Sequence, residues 1–515
     1  MINIKHSPSF DGFHHPDSFE SARLANFADM KVLFVVSEAF PLIKTGGLGD
    51  VGGALSAALA HEGADVRVLL PGYEEALDKL AGKETPIDLG DPLGAGPARL
   101  IPGRMPDSGV KTWLIDCPAL FIRNGGPYTD DDDEPWPDNH IRFALLGRAA
   151  AMISIAGGFV GWQPDILHAN DWQAGLAPTY LVQWSGRRTP SIFTIHNCQY
   201  QGLFDASIMP VVGLRQDMFG PYGLEFFGSV SYLKAGLVYS DRLTTVSPTY
   251  AKEIQTPMFG NGLEGVAASR SAVLHGILNG IDDETWNPAT DRALAKTFKA
   301  GDLAGKAACK AAVQRELGLK VDAECPLIGI VSRFVPQKGL DLVVQMLPQL
   351  LKKNVQLAIL GAGEQAIETA ILDATNTHPG MVAAKIGYSE DLSHRIIAGA
   401  DMFLVPSRFE PCGLTQMYAM RYGAVPIVRR TGGLADTVIE AENPGGTGFL
   451  FDAPTASALF GAVEAAIARF GDKEWWRTIQ RRGMAQDFGW SRPARAYCDL
   501  YESLARPTVR TPVRP

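Results

Sequence analysis

An alternation of short apolar, β-branched runs with longer helical patterns, begun twice along the chain, constrains the fold more than any other feature. KVLFVVS (31–37) has no polar alternate, so it reads as a strand buried on both faces, and VGGALSAALAHEG follows at helical spacing. DVRVLLP (65–71) is the next strand, and DILHAND, SIFTIHN and RLTTVS are later runs that each end in polar residues. The pattern restarts after ILNGIDDETWNP with LIGIVSR (327–333), VQLAILGAGE (355–364), MFLVPSRFE (402–410) and AVPIVRR (424–430). Helical stretches such as GLDLVVQMLPQLLKK separate them. Parallel strands need a crossover that a helix supplies, and 515 residues exceed what one core holds. The expected fold is therefore α/β, with two doubly wound domains meeting near residues 275–285. Such sheets bind ligands at the carboxyl ends of their strands, so two sets of loops would face one cleft. A polar extension (1–29) precedes a first domain (30–278) and a second (279–490); a helix and tail (491–515) close the chain. The pattern leaves open which domain the final ARAYCDLYESLA packs against.

Charge narrows the ligands. With 47 basic and 56 acidic residues the net charge is −9, which supplies no general attraction for nucleic acid or an anionic membrane. An anionic ligand must be held by a local cluster of cations and amides. Six cysteines without a CxxC pair suit reduced thiols and a cytoplasmic setting. No apolar stretch reaches the roughly 18 residues of a membrane span. The extension lacks the apolar centre of a signal peptide, and its His6, His14 and His15 have no further ligands at metal-site spacing. YTDDDDEPW reads as a solvated turn rather than a cation loop, and no metal site is expected. The neighbouring WPDNHIRF is either a sugar platform or packing.

Three loops carry the chemistry. In KTGGLGDV, glycines let backbone N–H groups approach an anion, the next helix points its positive end at it, and Lys44 adds a mobile charge. This is neither a P-loop nor a GxGxxG fingerprint, and a turn that needs glycine only for close packing is the competing reading. In SRFVPQKG, Arg333 and Lys338 leave a strand together ahead of a helix. Alone they describe a solvated turn; facing Lys44 across a cleft they make a clamp for a diphosphate leaving group. In PSRFEPCGLTQMYAMRYG, Glu410 sits at a strand end and Cys412–Gly413 open a helix whose free amides suit hydroxyls or phosphate. No base is visibly paired with Cys412, so backbone or packing is its expected role. His168 and His196 each close a strand; His196 is read as functional, and His168 remains open between site and core. Asp171 can cap the following helix or touch a ligand.

Taken in order, KTGGLGDV, HANDWQAGLAP, TIHNCQYQG, YLKAGLVYSDRLTTVSPTYAKEI, ILNGID, SRFVPQKGLDL and PSRFEPCGLTQMYAMRYG closely resemble the motifs of bacterial glycogen synthases and plant starch synthases. These are retaining GT-B glycosyltransferases with two Rossmann-like domains around a central cleft. The resemblance runs from about residue 30 to the 490s. It implies that Lys44, Arg333 and Lys338 meet the diphosphate of ADP-glucose, with Gly47 offering its amide and Asp50 beside it. It places His196 near the transferred glucose, Asn197 and Asn279 on the sugar or acceptor side, and Asp171 in the same cleft. Glu410 matches the active-site glutamate; Cys412, Gly413, Leu414 and Thr415 match the turn that meets glucose hydroxyls and phosphate; Tyr388 lies where adenine is held. Two positions depart from the wider pattern. Tyr418 replaces the second glutamate of Glu-x7-Glu, and Ala362 stands where a threonine is common.

The implied reaction moves glucose from ADP-glucose to the non-reducing end of an α-1,4-glucan with retention of configuration. ADP-glucose and glycogen are then the partners, and no cofactor or metal is expected. UDP-glucose as donor, or a catalytically silent glucan-binding module, are the alternatives. An NAD-dependent dehydrogenase fits poorly, because no GxGxxG follows a first strand.

Overall fold

The computed structural model describes residues 29–155, 157–184 and 188–505, so the histidines of the extension lie outside the described residues. Twelve strands form in the first half: β1 (Lys31–Val35), β2 (Asp65–Pro71), β3 (Ile87–Gly90), β4 (Ala98–Arg104), β5 (Lys111–Asp116), β6 (Ile166–Asn170), β7 (Ser191–Ile195), β8 (Leu203–Asp205), β9 (Glu225–Phe226), β10 (Ser229–Ser231), β11 (Arg242–Thr245) and β12 (Leu274–Gly276). Nine of them make one sheet in the order β12-β11-β7-β6-β1-β2-β5-β4-β3, and β8-β10-β9 make a small separate one. Six more, β13 (Leu327–Val331), β14 (Gln356–Gly361), β15 (Val382–Ile386), β16 (Met402–Val405), β17 (Val425–Arg429) and β18 (Phe449–Phe451), make a second sheet, ordered β15-β14-β13-β16-β17-β18. That sheet is parallel throughout. Strands β6 and β7 are buried over their whole length, as apolar runs covered by helices on both faces must be.

The first sheet is not wholly parallel. Only residues 105–110 separate β4 from β5, too few for a helical crossover, so the two pair antiparallel and β3 adds antiparallel at the edge. The sequence reading had no βα unit there to see.

Topology alone locates the ligand crevice. In each sheet the first strand is flanked on one side by the next strand and on the other by a later one: β1 lies between β2 and β6, and β13 between β14 and β16. Loops leaving the carboxyl ends of such neighbours diverge and open a crevice. The loops concerned are KTGG after β1, Asp171 after β6, SRFVPQKG after β13 and PSRFEPCG after β16.

The final helix, Ser491–Ala505, packs back on the first sheet. Its buried residues are Ala494, Tyr497, Cys498 and Tyr501, a stripe at helical spacing, with Leu500 beside them. The Tyr501 hydroxyl lies 2.7 Å from His168 Nδ1, and the Tyr497 ring sits 5.2 Å from that imidazole.

Candidate active site

The loop after β1 is held from inside. Glu38, 3% exposed, accepts hydrogen bonds from the backbone N–H groups of Thr45 (2.5 Å) and Gly46 (3.1 Å). Tyr128 donates to its other oxygen and lies 2.7 Å from Ser37 Oγ. A buried carboxylate thus spends its lone pairs on fixing the KTGG backbone. Neither Glu38 nor Tyr128 was singled out as a site residue by sequence, because a glutamate just beyond a strand looks like any polar strand end. The acidic run beside Tyr128 is the solvated turn expected, with Asp130 accepting from the backbone of Asp132 and Glu134.

The glycines divide between the two readings. A Cβ on Gly52 would lie 2.3 Å from the Glu38 carbonyl oxygen and one on Gly53 2.2 Å from that of Phe40, so these two serve close packing. A Cβ on Gly46 or Gly47 would meet nothing within 4 Å, and neither has positive φ, so the fold itself does not demand glycine there. The helix Gly47–His61 starts at Gly46 without a side-chain cap, which leaves its first turn to an anion. Gly52→Ala is therefore expected to destabilise the fold by about 1–3 kcal/mol through overpacking. Gly47→Ala is expected to keep or raise the unfolding midpoint and to weaken binding of a diphosphate at the loop; urea unfolding and calorimetry separate the two.

Lys44 Nζ lies 2.8 Å from Asp50, both partly exposed. Burial raises the Asp50 carboxyl above its ordinary value, against the pull of Lys44, and Glu390 of the second domain adds to the rise. The same Glu390 is drawn down by a hydrogen bond from His394 and by Lys44, so the KTGG loop and the turn at residues 388–390 share one electrostatic environment across the crevice. Tyr388 lies at this rim, 75% exposed, with its hydroxyl on Glu390.

The two histidines have different fates. His168 is fully buried, bracketed by Tyr501 and by Thr194 Oγ1 at 2.6 Å, and desolvation holds it neutral with a pKa of about 3: it belongs to the core. His196 keeps partial exposure beyond β7 and donates from Nε2 to Asn170 Oδ1 at 3.1 Å, because Asn170 spends its amide on the Val35 carbonyl. Desolvation lowers its pKa also to about 3, so it presents a neutral ring to the crevice. Asn197 next to it accepts from the Gln199 N–H and stays half-buried.

Asp171 sits in the left-handed region at φ +58°, 6% exposed, and among the described residues accepts only from the N–H of Trp172 rather than capping the helix beyond. Desolvation pushes its pKa up to about 8. A carboxyl whose folded pKa exceeds its unfolded one stabilises the fold below the unfolded value, and that contribution disappears as pH climbs through 8. Asp171→Asn tolerates the same backbone and does not ionise. Urea midpoints measured across this range should fall with pH in the wild type relative to the variant; parallel curves would refute the shift.

The second domain supplies the opposing wall. Lys338 Nζ pairs with Glu410 at 2.7 Å; Glu410 is 5% exposed and also accepts from Ser407 Oγ at 2.8 Å. Arg333 is exposed and makes no ion pair among the described residues. Gly413, at φ +72°, turns the chain so that Leu414 caps the helix Thr415–Arg421 with no side-chain bond, leaving its first amides open. A Cβ on Gly413 would lie 3.0 Å from Glu410 Cγ. Cys412 is buried and its thiol is pushed up to about 12, which makes it inert as a nucleophile. Asn279 is 6% exposed, and its Oδ1 has no hydrogen-bond partner among the described residues, an acceptor that a hydroxyl or amide would satisfy. Tyr418, in the second-glutamate position, stacks on Trp286 at 3.8 Å and so packs instead of carrying charge. Among the described residues no group of three or more His, Cys, Asp or Glu side chains is gathered as a metal site.

A basic glycine loop and a lysine–glutamate pair, each at a strand switch point of its own Rossmann-like sheet, define a two-domain glycosyltransferase of the GT-B type. Comparison with known proteins makes this specific. Residues 31–269 match the starch synthase catalytic domain and residues 318–473 the glycosyl transferases group 1 domain. Glycogen synthase of Rhodospirillum rubrum is 52% identical over 487 residues, covering 94% of this chain and 100% of that protein. That of Paramagnetospirillum magneticum is 52% identical over 92% of this chain and 98% of its own. The catalytic domain of starch synthase IV from Arabidopsis thaliana, bound to ADP and acarbose, superimposes with a TM-score of 0.83 at 33% identity, covering 93% of this chain and 99% of that one. Sucrose-phosphate synthase from Thermosynechococcus elongatus, at 19% identity and a TM-score of 0.57, shares the fold alone. The chain belongs to the glycogen synthase and starch synthase family. No helix among the described residues is long and apolar enough to cross a membrane.

Proposed function

We propose that the protein transfers glucose from ADP-glucose to the non-reducing end of an α-1,4-glucan, with retention at the anomeric carbon. The observation that carries this reading is the part-buried Lys338–Glu410 pair on one sheet and the Lys44 glycine loop on the other, in a family whose starch synthase IV member binds ADP and acarbose. The bond between C1 of glucose and the diphosphate oxygen breaks as the acceptor hydroxyl attacks from the same face. The hydroxyl proton passes to the departing phosphate, and Lys44, Arg333 and Lys338 balance its charge in a transition state of oxocarbenium character. Tyr418 leaves Glu410 without a carboxylate partner in that position, which favours direct front-face transfer over a covalent glycosyl-enzyme. Cations of the chain take the part a divalent ion plays in other sugar-nucleotide sites, so no metal is required. Cysteines that are buried and scattered, with no CxxC pair, suit the reducing cytoplasm.

The test is incorporation of labelled glucose into glycogen from ADP-glucose and UDP-glucose side by side, without added metal. Transfer from ADP-glucose is the expected result. Transfer from UDP-glucose alone would overturn the donor, and glycogen binding without transfer would make the protein a silent binding module.

A further inference from the structure

Three side chains of the first domain reach across to the second at one place, and all three end on the segments that back Glu410. The short helix Pro248–Glu253 follows β11, and its cap residue Ser247 donates from Oγ to the Pro411 carbonyl at 2.6 Å. Thr249 donates through its N–H (2.8 Å) and its hydroxyl (2.7 Å) to the carboxylate of Asp436. Glu253 Oε1 accepts from Thr431 Oγ1 at 2.8 Å and from the Gly432 N–H at 3.0 Å.

Residues 431–433 in turn lie against the turn that bears Glu410. The Gly433 N–H donates to the Glu410 carbonyl at 3.0 Å. A Cβ on Gly432 would lie 1.9 Å from that same oxygen, and one on Gly433 would lie 2.1 Å from the Cys412 carbonyl oxygen, so no slack exists between the two segments. Displacing Gly432 displaces the backbone of Glu410, whose carboxylate holds Lys338. The second oxygen of Glu253, Oε2, is buried without a hydrogen-bond partner among the described residues. A leucine or alanine would avoid that desolvation, so what Oε1 does must outweigh it.

We propose that Glu253 is a positioning residue for the transfer reaction: an N-domain carboxylate that sets, through Thr431 and Gly432, where the Glu410–Lys338 pair stands relative to the first domain. The proposal rests on the functional reading above. It touches no substrate; it acts on the reacting groups through two hydrogen bonds and one close backbone contact.

The experiment uses the full chain and compares wild type with Glu253→Ala, Glu253→Gln and Thr431→Val. Glucosyl transfer is fitted for kcat and donor KM separately, and urea unfolding is followed in parallel. Alanine removes both cross-domain acceptor bonds and should lower kcat about tenfold, with donor KM within about threefold of wild type. Glutamine keeps Oε1 as acceptor for both donors and should retain most of kcat. Valine at 431 removes one bond and should cost about threefold in kcat. A kcat for Glu253→Ala within about twofold of wild type overturns the proposal, as does an equal loss in Glu253→Gln, since neither follows from loss of the Oε1 bonds. If the alanine variant does not fold, the valine and glutamine variants decide: unchanged kcat in valine overturns it, and loss in valine with retention in glutamine supports it. Absence of transfer by the wild type overturns the functional reading, and this proposal with it, before any variant is compared.

Discussion

Lys44→Ala lowers kcat for glucosyl transfer by roughly 100- to 1,000-fold while leaving the urea midpoint within error of wild type. The two halves of this expectation have separate grounds. Lys44 reaches Asp50 at 2.8 Å, but the side chains are 31% and 28% exposed, and an ion pair so open to water contributes about 1 kcal/mol or less. The loop it stands on is fixed by the Glu38 carboxylate through the Thr45 and Gly46 amides, not by Lys44. In the proposed reaction the variant lacks the mobile charge that meets the departing diphosphate, a group whose charge grows in the transition state. Arginine in its place carries the charge in a planar fork on a different stem and should restore only part of the rate. Turnover of the alanine variant near that of wild type would remove Lys44 from the mechanism.

Lys338→Ala shows the opposite balance, with activity and stability lost together. Glu410 is nearly out of water, and Lys338 at 2.7 Å is its cationic partner; Ser407 offers one further hydrogen bond. Removing the lysine strands a buried carboxylate, which costs about 3–5 kcal/mol. Adding Glu410→Gln removes that stranded charge, so the double variant should regain much of the urea midpoint and none of the activity. If the double variant is no more stable than Lys338→Ala, the pair is not the electrostatic unit described.

Much of this was legible along the chain because it is written in local periods. Apolar runs buried on both faces announce parallel strands, and glycine, lysine and acidic residues at the ends of those runs announce ligand loops. Lys44, Arg333, Lys338 and Glu410 each sit just past a strand that periodicity had already marked. The antiparallel edge β3-β4-β5 was not legible, since strands joined by a hairpin carry no helical pattern between them.

Sequence by itself determined the fold class and the order of the loops, and it proposed the cation set, because each is a property of a few neighbouring residues. Tertiary structure decided what each polar side chain faces. His168 and His196 end similar strands, yet one is closed into the core by Tyr501, 333 residues away, and the other is left at the crevice. The glycines after β1 look alike in sequence, yet Gly52 meets the Glu38 carbonyl while Gly47 meets open space. Glu253 looks like the end of an ordinary surface helix until Thr431 and Gly432 arrive from the other domain. A side chain's role depends on the group that packs opposite it, and in a doubly wound fold that group comes from a strand or helix far along the chain.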